Sequence, residues 1–61
     1  MTGMRRAEVE GAAVAYALLI LRGWDTSDTN ERILSEYGRA SLVRVKKRAW
    51  QHVKASRGGH L

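Results

Sequence analysis

Ala12 to Leu21, AAVAYALLIL, is a run of ten apolar residues in a chain of 61. A helix that is apolar on every side has to be covered on more than one side. A bilayer span needs about 20 apolar residues, and extending this run backward meets Glu10, Glu8, Arg6 and Arg5. A secretory signal could use Arg5 and Arg6 as its basic region. Glu8 and Glu10 interrupt that junction, however, and no small-x-small site follows Leu21. No membrane span is therefore expected. The favoured reading is a central helix, packed by its own chain on one side and by a second copy on the other.

The spacing around the run agrees. Met4, Ala7, Gly11, Val14, Leu18 and Leu21 alternate at intervals of three and four, the pattern of a helical seam facing another helix. Helix 1 is expected over about 4–22, with Val14, Ala17, Leu18 and Leu21 at an oligomer interface. Ala12, Ala13, Ala15 and Ala17 would allow close helix approach, although alanine is also the best helix former. Gly23 suits a left-handed cap, with Arg22 near the negative end of the helix dipole. Trp24 is expected to plug the helix ends, because an indole brings large burial and one N–H to satisfy.

Length and composition leave few ways to hold such a chain together. A single domain of this size buries only about 60% of the surface its unfolded form exposes. With no cysteine, neither a disulfide nor a thiolate zinc site can help, and His52 and His60 alone make no closed metal site. No cofactor is expected, and a homo-oligomer is. The absence of proline, with breaks at Gly23 and Gly38, fits an all-α chain of three helices. Asp28 to Glu31, DTNE, reads as a capping box opening helix 2 over about 29–37. Ile33, Leu34 and Tyr37 form its apolar patch, and Gly38 ends it. Tyr16 and Tyr37 read as packing residues with exposed hydroxyls.

Helix 3 is expected over about 41–56, capped by Ser41. Leu42, Val45, Ala49 and Val53 recur at helical spacing and fall within about 80° of one another at ~100° per residue. Val43 and Trp50 widen this stripe, and Trp50 reads as core. Arg44, Lys47, Arg48, Gln51 and Lys54 occupy the opposite face. Lys46 falls beside Val53 on the apolar side, where only its methylene stem could pack. His52 sits at the boundary as an ordinary surface histidine, and 57–61 reads as a flexible tail.

Charge divides the chain. Residues 1–38 carry a net −2, whereas 39–61 carry seven cations and no acid, giving +5 overall. Such asymmetry suits a polyanion, because each neutralised phosphate releases counterions. An acidic protein partner, or a face kept solvated for solubility, would also account for it. The segment NERILSEYGRASLVRVKKRAW resembles a helix-turn-helix in outline, with a short helix, a glycine turn and a longer basic helix. Counting from Gly38 puts Arg44 at an apolar position of that pattern, and Val45 fits only if the turn is one residue longer. The resemblance implies Arg39 and Ser41 near phosphate or base edges, Arg44 and Lys47 facing the groove, and Arg48, Gln51 and Lys54 tracking phosphates.

Two functions stay open. One is a small DNA-binding module, such as a cytoplasmic regulator from a high-GC bacterium or phage. The other is an interaction or inhibitory module that docks through helix 1. No enzyme is expected: there is no cysteine nucleophile, nothing in the spacing forces Glu31, Glu36 and His52 together, and so small a helical chain offers little room for a cleft of ~300 to 1,000 Å³.

Overall fold

The computed structural model describes residues 3–58. These form three helices and no strand: α1 (Arg6–Leu21), α2 (Ser27–Tyr37) and α3 (Arg39–Gly58). The all-α expectation holds, and the ends of the helices differ from it for identifiable reasons. α1 starts at Arg6 rather than Met4 because the backbone of Met4 is engaged elsewhere. Its N–H donates to Ser41 Oγ at 3.3 Å, and its carbonyl accepts from Arg44 Nη1 at 2.9 Å. Arg5 is extended, and its N–H donates to Glu8 Oε1 at 2.8 Å, satisfying a donor at the helix start.

The other end of α1 follows the sequence closely. Gly23 lies at φ 71° and donates to the Ile20 carbonyl at 3.0 Å, while the Trp24 N–H reaches the Leu19 carbonyl at 2.9 Å. This is a Schellman closure, which needs a left-handed residue at Gly23. α2 opens differently from the expected DTNE box. Asp25 Oδ1 accepts from both the backbone N–H and the hydroxyl of Ser27, at 3.0 and 2.8 Å, so the helix starts earlier. Those two bonds, the hydroxyl's first, hold the Asp25 carboxyl below its ordinary pKa.

Gly38 alone separates α2 from α3, at φ 95° and ψ 170°. It closes α2 through its N–H to the Ile33 and Leu34 carbonyls, and its own carbonyl accepts from Leu42 N–H to open α3. Its φ is positive as expected, but its ψ is extended rather than left-handed helical. Ser41 is thus two residues inside α3 and does not cap it. At the far end, Arg57 and Gly58 belong to α3; the remainder of the expected tail, including His60, lies outside the described residues.

Met4 lies against Ser41 and Arg44, and Glu10 lies against Arg48 and His52. α1 and α3 therefore run parallel, and α2 returns between them in sequence. Tyr16 ties α1 to α2, its hydroxyl donating to Asn30 Oδ1 at 2.6 Å. The result is a slab of 42 × 23 × 13 Å.

Its core combines three alanines, Ala13, Ala17 and Ala49, with Met4, Val9, Tyr16, Ile33, Val45 and Val53. The stripe expected on α3 is therefore the buried one. Several larger groups stay outside. Trp50 and Trp24, expected to be covered, are 47% and 60% exposed. Trp50 lies beyond the edge of the buried arc, and Trp24 carries the Arg22 guanidinium over its ring at 5.4 Å. Lys46 is exposed, so its position beside Val53 on the wheel costs no charge burial. Ala17 is 4% exposed and contributes to the core rather than to an oligomer interface. Tyr16 is buried with its hydroxyl bonded, not exposed.

Gly38→Ala should lower stability by about 1–3 kcal/mol, because that backbone region is nearly closed to other residues. Gly23→Ala should cost only about 1 kcal/mol, since the left-handed helical region is less forbidding and an added Cβ there meets nothing. Thermal unfolding followed by circular dichroism ranks the two. Tyr16→Phe, which removes one hydrogen bond, should cost about 0.5–1.5 kcal/mol in the same assay.

Candidate nucleic-acid interface

The parallel course of α1 and α3 leaves an open groove of about 390 Å³ between them. Arg44, Lys47, Arg48 and Gln51 line it from α3, facing Arg6, Val9 and Glu10 on α1. Four of the seven residues expected to meet nucleic acid thus share one site. Arg39 and Lys54 are exposed on α3 but do not line this groove. Ser41 is 3% exposed, and its hydroxyl accepts from Met4 N–H. The expectation that it contacts phosphate is corrected: the N-terminal segment of the chain covers it.

Four cations around the groove face one carboxylate. Arg48 grips Glu10 side-on, Nε to Oε1 at 2.7 Å and Nη2 to Oε2 at 3.4 Å, while its Nη1 donates to Gln51 Oε1 at 2.8 Å. His52 Nε2, carrying its hydrogen in the tautomer a carboxylate selects, meets Glu10 Oε2 at 2.7 Å. The hydrogen bond from Arg48 is the main cause that lowers the Glu10 pKa; desolvation opposes it, and the hydrogen bond from His52 adds to the lowering. Glu10 in turn raises that of Arg48. Arg44 keeps one nitrogen on the Met4 carbonyl. Lys47 is exposed and, among the described residues, has no intramolecular ion pair.

Arg48 is therefore partly committed within the chain, whereas Lys47 is open to solvent and Arg44 still has guanidinium nitrogens to offer. An incoming phosphate would meet Lys47, Arg6 and those nitrogens, with Gln51 beside them as a neutral donor. In the sequence Arg6 and Glu10 read only as charges before the apolar run, because nothing local ties them to α3. The groove's volume also exceeds what the chain length suggested. The carboxylate brought to His52 is Glu10, rather than Glu31 or Glu36. Among the described residues no three acidic or histidine side chains gather to hold a metal, and no helix is long and apolar enough to cross a membrane.

Because the pKa of Glu10 is lowered in the fold, its contacts contribute stability at neutral pH. That contribution disappears as pH falls through the lowered value. Glu10→Gln should therefore lower Tm at pH 7, and the gap from the parent chain should narrow on acidification. Carboxyl NMR titration should find Glu10 ionising below an ordinary glutamate; a normal midpoint would rule out the clamp.

Compared with protein-family models, with curated proteins and with solved structures, the chain matches none, and the chemistry of the groove itself carries the functional reading.

Proposed function

We propose that this chain binds the phosphate backbone of nucleic acid, duplex DNA in the first instance, through the α1–α3 groove and the outer side of α3. The observation that carries this reading is the convergence of Arg6, Arg44, Lys47 and Arg48 on one groove whose lining carboxylate is already ion-paired with Arg48. Arg39, Lys46, Lys54 and Arg57 are further exposed cations on α3, and residues 39–61 contain no acidic side chain to oppose them.

The helix-turn-helix version of this reading has less support than backbone binding. One residue joins α2 to α3, against the three or four of that motif. The first turn of α3, which would approach base edges, has Ser41 covered by Met4. Contacts to phosphates along the helix flank hold a protein in register without reading sequence. A module that joins other protein chains through α1 is the second reading, supported by the exposure of Val14, Leu18 and Leu21.

Fluorescence anisotropy with a labelled random-sequence duplex tests the proposal. Binding should weaken steeply with salt, and Lys47→Ala or Arg6→Ala should each flatten the log–log slope by about 0.9, the value of one lost phosphate contact on B-DNA. Absence of binding at low salt, or a slope indifferent to both substitutions, would refute it.

A further inference from the structure

On α1 the buried residues are Val9, Ala13, Tyr16 and Ala17, while Val14, Leu18 and Leu21 remain 44%, 44% and 38% exposed. With Ala7 and Gly11, both also exposed, these residues repeat at intervals of four, three, four and three. At ~100° per residue the five lie within about 80° of arc, centred opposite Tyr16, which faces α2. α1 thus has one flank on α2, its middle on α3 and a third, apolar flank that no other element among the described residues covers. This stripe runs the length of the helix, and a Cβ added at Gly11 would meet no atom.

We infer that a second copy of this chain packs antiparallel along that stripe. The occupant follows from self-complementarity, which a two-fold interface requires. Setting Val14 against the partner's Leu18 sets Gly11 against the partner's Leu21, so the largest side chain of the stripe meets the position with none. The flanking charges agree: Glu8 in the first turn comes alongside the partner's Arg22 at the end of its helix. A parallel pair would leave both unmatched. Antiparallel helices also oppose their dipoles. Arg22 and Trp24, stacked on each other, lie where the partner's Ala7 and Glu8 arrive, and so lengthen the contact toward the roughly 800 Å² per partner that specific interfaces use. This pairing does not depend on the nucleic-acid reading.

Sedimentation equilibrium of the full chain should give twice the 6.8 kDa chain mass, and Leu18→Glu should halve it while leaving helical circular dichroism in place. The chain has no cysteine, so register can be read by mixing Gly11→Cys with Leu21→Cys chains under mild oxidation. Cross-linking of the two variants to each other is expected. Linkage of each variant only to itself would overturn the antiparallel pairing, and a monomeric mass at high micromolar concentration would overturn the dimer. Lys47→Ala, which weakens duplex binding if the groove reading holds, should leave the mass unchanged, so the two ideas fail separately.

Discussion

Close approach of two parallel helices is what everything else in this fold depends on. Ala13, Ala17 and Ala49, buried with Val9, Val45 and Val53, form the core shared by α1 and α3. Parallel helices set like dipole ends side by side, a modestly unfavourable arrangement. Bonds at two levels oppose it. Near the start, Ser41 accepts from the Met4 N–H and Arg44 donates to the Met4 carbonyl; two turns on, Arg48 and His52 take Glu10. Each is a contact between residues about 40 apart in sequence, and together they fix which turn of α1 faces which turn of α3.

That same closeness explains why the groove is positive. α3 has no acid of its own, so any acid in the groove must come from α1. Only Glu10 is in place, and Arg48 and His52 answer it. The clamp that aligns the helices therefore also removes the one charge that would repel a phosphate.

Local signals were legible in the sequence, and pairings between distant residues were not. The Val45, Ala49 and Val53 stripe, the Gly23 closure and the three-helix order follow from periodicity and from glycine's access to positive φ. Trp50 shows the limit. A helical wheel ranks residues by angle from the apolar centre, but how far around the helix burial extends depends on the width of the neighbour. Here the buried arc runs from Ser41 through Val45 and Ala49 to Val53, and the indole lies past its edge. Ser41 illustrates the same limit from the polar side: as a Ser at a helix start it reads as a cap, and only the path of Met4 shows that it holds a separate segment. Of the groove, the α3 wall could be read from the spacing of its cations; the α1 wall required knowing that the helices run in the same direction.

The two exposed indoles give the molecule an unusual optical character. In most small domains a tryptophan reports on the core, and its emission shifts when the core opens. In this slab Trp24 sits past the end of α1 and Trp50 on the outer side of α3, each already in contact with water. Native emission should thus resemble that of the unfolded chain, leaving fluorescence nearly blind to unfolding. It would respond instead to whatever arrives at the surface, with one indole at the tip of the first helix and the other beside the basic rod.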